Sequence, residues 1–332
     1  MPRYWWVNHK QTFIHEIEGR YLWSPKTNKG GTRSEYYNNM RRATPGDHVL
    51  SFADQTISYV GRVGEFAFTA QKPTEFGAAG ANWANEGWYL PVFWTPLSPL
   101  VRPKDFIDLL RPLLPSKYSP IRTSGDGNQV YLTSISQELF EAVISVSTFD
   151  YERLIRGGAN SLNYQTIKDE LDDRVESALV GDLTLDSTTK EAVIKARRGQ
   201  GKFRSNVETV EKSCRLTGVT NPSLLIASHI RPWRSCETAQ QRLDAMNGLL
   251  LTPDADLLFD RGFITFENDG EMRVSSRFDL DDLRRLGLAE PAWKQLGFSE
   301  APMTWNAQAF RPAQQDYLAY HRANVYVGET AH

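Results

Sequence analysis

Three things are scarce in this chain of 332 residues: cysteine, long apolar runs and net charge. Two cysteines, Cys214 and Cys236, are too few for a disulfide framework or a four-cysteine zinc site. They read as reduced thiols in a cytoplasmic protein. No apolar run approaches the roughly 18 residues of a membrane span, and the N-terminal MPRYWWVNHK has no signal-peptide core, so no membrane association is expected. Lys and Arg number 38 against 40 Asp and Glu, a net charge of −2. Any affinity for nucleic acid must therefore come from local patches. Internal repeats, heptads and low-complexity tracts are also missing.

What remains is an ordinary globular composition, 40% hydrophobic and 23% charged, long enough for two cores. Residues 1–148 hold short β-branched and aromatic runs, YWWV, HVLSF, TISYVGRV and WYLPVFW, with turn signals such as PGD between them. KQTFIHEIEG, SEYYNNMRR, DFIDLLRPLLP and SISQELFEAVIS have helical spacing, the last with Ser134 and Ser136 as candidate caps. Strands and helices mixed without a βαβ rhythm predict an α+β, barrel-like domain. Residues 149–194, with TIKDELDDRVESALV, predict a helical linker with a solvated acidic face. A second globular unit is expected over 195–332.

The chemistry concentrates after residue 224. LLIASHI is a strand-like run that delivers His229 near its end, and DAMNGLLLTP enters a second strand behind Asn247. DADLLFDRG places Asp256 and Asp260 four apart, on one face of a helix. A lone His in an apolar setting is more often a satisfied structural residue. Two strands and a helix carrying His, Asn and carboxylates in this order, however, suit a ββα-metal nuclease. The His can take a proton from water, the carboxylates can hold a divalent cation, and the Asn can fix the loop that bears the base.

The stretches ASHIRPW (227–233), NGLLLTP (247–253) and LFDRG (258–262) resemble the HNH endonuclease family. The resemblance implies that His229 is the general base and Asn247 the motif asparagine. The third letter, usually a metal-binding His, falls on Asp256 or Asp260. Ser228 stands where many relatives carry an Asp or His ligand, which leaves the ligand count open. An oxygen-rich shell favours Mg²⁺ or Mn²⁺ over Zn²⁺. Ahead of the first strand, KARRGQGKFR resembles the family's basic lead-in. Read as a loop, it offers Arg197, Arg198, Lys202 and Arg204 to DNA phosphates. YLAYHRANVY resembles a closing helix, and His321 is assigned no catalytic role.

Five of the nine tryptophans precede position 90. Trp23, Trp83 and Trp88 flank turns, where each reads equally as core or as a wall that stacks on a planar base. The run WWVNHKQTFIHEIEGRYLWSP, followed by SEYYNNMRRATPGDHVLSF, ISYVGRVGEF and the Trp83/Trp88 pair, resembles the EVE domain. That domain is a PUA-superfamily module related to the YTH readers of methylated RNA. The resemblance implies a modified-base pocket with Trp23, Trp83 and Trp88 as walls, Ser51 and Phe52 at the floor, and Asn8 and Tyr36 on the rim.

An EVE reader joined to an HNH nuclease resembles the modification-dependent restriction endonucleases of bacteria. It predicts a bacterial cytoplasmic enzyme that flips 5-methyl- or 5-hydroxymethylcytosine from double-stranded DNA and cleaves with Mg²⁺ or Mn²⁺. A homodimer is expected, since one HNH site cuts one strand. The alternatives are a ribonuclease directed to modified RNA and a reader whose nuclease no longer cuts.

Overall fold

The computed structural model of the chain describes residues 2–27, 31–149, 164–288 and 308–328. Two compact units emerge, residues 1–168 and 169–332. Among the described residues no helix is long and apolar enough to cross a membrane.

The first unit is built on a sheet of seven described strands: β1 (Tyr4–Asn8), β2 (Tyr21–Pro25), β3 (His48–Ala53), β4 (Thr56–Val63), β5 (Phe68–Gln71), β6 (Glu86–Val101) and β7 (Leu132–Ile135), in the order β2-β6-β4-β3-β1-β7 with β5 also on β6. Only the β1–β3 pairing is parallel. The sixteen-residue β6 pairs with β2 and β5 through its first half and with β4 through its second, so the sheet curls into a half-barrel. Helices α1 (Phe13–Glu18), α2 (Glu35–Arg42) and α3 (Gln137–Ser145) accompany it. The result is the mixed α+β architecture that the run of short strands predicts.

Alternation along β1 sends adjacent tryptophans to opposite faces. Trp6 joins Leu50, Ile57, Val60 and Phe140 in one core, and Trp5 joins Leu22, Val49, Trp88 and Leu90 in another. The PGD turn is held by Asp47, which accepts from Arg3 N, Thr44 N, Thr44 Oγ1 and the Trp5 indole at 2.8–3.0 Å. Ser136 caps α3, its Oγ accepting Leu139 N, whereas Ser134 belongs to β7. DFIDLLRPLLP is not one helix but three short turns, Pro103–Phe106, Ile107–Leu110 and Arg111–Leu113. Pro112 has no amide hydrogen and its ring crowds the carbonyl four residues back, so a continuous helix stops there.

In the second unit, α4 (Tyr164–Gly181), across which the division between units falls, is followed by α5 (Ser187–Arg197) and α6 (Gly201–Val210). The basic lead-in expected as a loop is therefore mostly helical. It breaks at Gly199, whose φ of 61° suits glycine and where a Cβ would collide with the Ala227 carbonyl. A hairpin of β8 (Ile226–His229) and β9 (Gly248–Leu251) follows, and then α7 (Pro253–Asp260), which packs on both strands. Strands β10 (Ile264–Phe266) and β11 (Met272–Val274) form a second hairpin, and α8 (Pro312–Asn324) closes the unit. His321 of α8 is buried, bonded to Thr265 Oγ1 at 2.9 Å and Phe259 O at 3.0 Å, and stacked on the Phe259 ring. Burial lowers its pKa to about 4, so it is neutral and structural.

Candidate functional site

His229 ends β8 opposite Gly248 of β9. A Cβ at 248 would collide with Val207 of α6, so glycine lets that helix approach the hairpin closely. Phe203, one turn before Val207, lies flat on the His229 ring, with centroids 3.7 Å apart and planes within 4°. His229 Nε2 is 3.0 Å from the Arg242 carbonyl oxygen. That oxygen can only accept, so Nε2 carries the proton, and in the neutral ring Nδ1 is the unprotonated nitrogen.

Asn247, fully buried, holds the connection between the strands. Its Oδ1 accepts Arg231 N at 2.7 Å, and its Nδ2 donates to Arg231 O, Gln241 O and Cys236 Sγ at 3.1–3.3 Å. Its backbone carbonyl accepts Ile230 N. Gln241 immediately precedes the residue whose carbonyl holds the imidazole, so Asn247 positions His229 through one peptide. Arg242, buried, donates to the carbonyls of Trp233 and Cys236. Burial pushes the Cys236 thiol up to about 11, which keeps it neutral.

Asp256 and Asp260 lie half-buried on one face of α7. Ser228 is buried in β8 opposite Leu249, and strand alternation puts it on the other face of the hairpin from His229. Among the described residues no three His, Cys, Asp or Glu side chains gather to hold a metal ion. Two carboxylates on one helix suit a cation that keeps several waters and shares its shell with a phosphate, as Mg²⁺ does, and not a closed four-ligand zinc site.

The basic residues divide. Arg198 and Lys202 are exposed. Arg197 is instead clasped by Asp173 and Glu176 of α4 at 2.6 and 2.7 Å. Arg204 donates to Glu208 and to the carbonyls of Pro222 and Leu225, pinning the approach to β8. Arg197 and Arg204 are each tied to the fold by three hydrogen bonds.

In the first unit a cavity of about 740 Å³ is lined by Trp23, Trp83, Phe52, Tyr36 and Asn8 among others. Trp23 and Trp83 stack on each other, centroids 6.1 Å apart and planes 27° from parallel, with Phe76 edge-on to both. The remaining residues expected there sit differently. Trp88 is not in the lining but in the second core, under Lys26 and Arg41. Asn8 lines the cavity with its amide spent: it accepts the Trp6 indole and donates to Pro120 O and Asn128 O. Ser51 is fully buried behind the wall, 2.8 Å from His9 Nε2.

His9 belongs to a buried network that no local sequence signal marks. Its Nδ1 is 2.6 Å from Glu16 Oε2, while Glu16 Oε1 accepts Tyr131 OH at 2.6 Å and Trp23 N at 3.1 Å. Burial and the Glu16 carboxylate raise the Tyr131 pKa well above its ordinary value, so the phenol stays a donor. The network fixes the backbone at Trp23 from 7 and 108 residues away. Phe203 does carry a local signal, since Phe203 and Val207 are spaced i, i+4 as an apolar helix face requires.

The family model described as HNH endonuclease matches residues 214–267, which hold the whole hairpin and α7. The second unit thus carries an HNH endonuclease domain. No curated protein matches the chain. Among solved structures, human THYN1, determined with DNA containing 5-methylcytosine, is 12% identical over 45% of this chain and 99% of its own, with a TM-score of 0.30. The ASCH protein of Zymomonas mobilis is 9% identical over 44% and 96%, at 0.27. Protein Atu2648 of Agrobacterium tumefaciens is 14% identical over 43% and 92%, at 0.28.

Proposed function

We propose that the chain is a modification-dependent restriction endonuclease of the bacterial cytoplasm. Residues 1–148 read 5-methyl- or 5-hydroxymethylcytosine flipped from double-stranded DNA, 149–194 link, and 195–332 cut. The observation that carries this reading is an aromatic-walled cavity, with Trp23, Trp83, Phe52 and Tyr36 in its lining, on a chain that also bears an HNH domain. Extruding a base costs a few kcal/mol, which stacking walls offset at about 1–3 kcal/mol per base. A nuclease without sequence preference is then directed only to marked DNA.

At the cutting site His229 Nδ1 takes a proton from the attacking water, and the Arg242 carbonyl stabilises the imidazolium through Nε2–H. Asn247 and Phe203 hold the ring in place. Asp256 and Asp260 would hold Mg²⁺ or Mn²⁺, which when bound polarises the phosphate and stabilises the leaving oxygen, whereas Ser228, on the other face of the hairpin, is left out of that shell. Arg198 and Lys202 neutralise phosphates without reading sequence. Two chains act together on the two strands.

The test is equilibrium binding by the non-cutting His229→Ala protein to matched duplexes carrying cytosine, 5-methylcytosine or 5-hydroxymethylcytosine, and to RNA of the same sequence. Preference for a modified DNA duplex supports the reading. Equal binding to all duplexes, or preference for modified RNA, contradicts it.

A further inference from the structure

The carbonyl that holds His229 sits at an inherently weak place. Arg242 lies in the last turn of a short helix, Ala239–Leu243, where no helical N–H claims the carbonyl oxygens. That leaves Arg242 O to meet His229 Nε2 at 3.0 Å. A helix of five residues does not hold itself in place, so its end needs bonds from other elements.

The Arg242 side chain is tied to the carbonyls of Trp233 and Cys236, and two further elements grip the residues that follow. From α6, one turn after the Phe203 that lies flat on the imidazole, Asn206 Nδ2 donates to Leu243 O at 2.8 Å. From α8, the Tyr317 hydroxyl donates to Asp244 Oδ2 at 2.9 Å. Asp244 is the pivot of the segment. Its Oδ1 accepts Met246 N at 2.9 Å and its carbonyl accepts Asn247 N at 3.0 Å, opening the short turn that delivers Asn247. One residue thus ends the helix that holds the imidazole and begins the turn behind it. Burial and the Asp244 carboxylate push the Tyr317 phenol above its ordinary range, so it stays a donor.

We propose that Tyr317 is a positioning residue of the nuclease site, fixing the His229 ring through Asp244 and the Arg242 carbonyl. This rests on His229 acting as the general base. Tyr317 transfers no proton and holds only the segment that orients the base. Tyr317 and Asp244 also line a cavity of about 360 Å³. Water can take the place of the phenol there, so deleting the hydroxyl removes the link without stranding a charge.

The experiment measures nicking of supercoiled plasmid, plain and 5-methylcytosine-substituted, with Mg²⁺ or Mn²⁺. It compares full-length wild type, Tyr317→Phe, His229→Ala and the double variant, beside thermal melts. Tyr317→Phe should melt within a few degrees of wild type. Its kcat should fall about tenfold with KM unchanged. In the His229→Ala background the same substitution should change the residual rate by less than about twofold, because no base is left to misplace. Three results overturn the assignment of Tyr317 while leaving His229 as the base: a Tyr317→Phe protein that nicks like wild type, one that loses the same factor in the His229→Ala background, or one that loses its fold at the assay temperature. A His229→Ala protein that cuts like wild type, or a wild type that cuts neither plasmid, overturns the reading of His229, and Tyr317 with it.

Discussion

The imidazole of His229 rests flat on the ring of Phe203, 3.7 Å between centroids, while its Nε2 faces the Arg242 carbonyl at 3.0 Å. Plane and tautomer are fixed by two different elements. The ring is therefore held in one orientation, and a general base so held, as proposed for His229, has little rotational freedom left to lose. His229→Ala should lower cleavage by about 10²–10⁴-fold while DNA binding survives. Phe203→Leu keeps an apolar side chain and should lower kcat with little change in KM. Steady-state kinetics on a nicked-circle assay checks both.

Cleavage should stop in EDTA and return with Mg²⁺ or Mn²⁺. Asp256→Ala and Asp260→Ala should each raise the metal concentration needed for half-maximal rate, by at least tenfold, because each removes one carboxylate from a hard-ion shell. Metal titrations that superimpose on wild type for both variants would place the ligands elsewhere.

Trp83 and Trp88 should part company. Trp88 is 5% exposed in a core with Trp5 and Leu90, so Trp88→Ala should cost about 3–5 kcal/mol of stability. Trp83 is half-buried and lines the cavity. Trp83→Ala should cost far less stability but lose one stacking wall, about 1–3 kcal/mol of discrimination. Denaturant melts alongside duplex binding distinguish the two.

How much of this could be read from the chain alone follows from the distance each feature spans. The His229–Asn247–Asp260 order is contained in 32 residues, and strand, strand and helix follow from local patterning there. Phe203 sits among basic residues that read as a phosphate-binding loop, and only the helix brings it under His229. Trp23, Trp83 and Trp88 look equivalent because all three flank turns. The sheet register sets Trp23 beside Tyr89 and Ser24 beside Trp88, and only then does Trp88 fall to the core. Asn8 finds its partners at Pro120 and Asn128, beyond the reach of any local pattern.

His48 supplies a pH dependence. Burial lowers its pKa from 6.5 to about 4, Arg62 adding to the effect and Asp47 opposing it. Between those values the unfolded chain binds a proton that the native unit refuses. The stability His48 contributes is thus complete above about pH 6.5 and is lost as pH falls toward about 4. His48→Gln should flatten this part of the stability profile. Denaturant midpoints at pH 7 and 4.5 for wild type and variant report the difference.

The most direct measurement of the central claim is digestion by the wild type, with Mg²⁺ or Mn²⁺, of duplexes identical except for cytosine, 5-methylcytosine, 5-hydroxymethylcytosine or its glucosylated form. The proposed function requires that at least one modified duplex be cut and that the plain duplex remain intact, with no cutting of any in EDTA. Equal cutting of plain and modified DNA would contradict it.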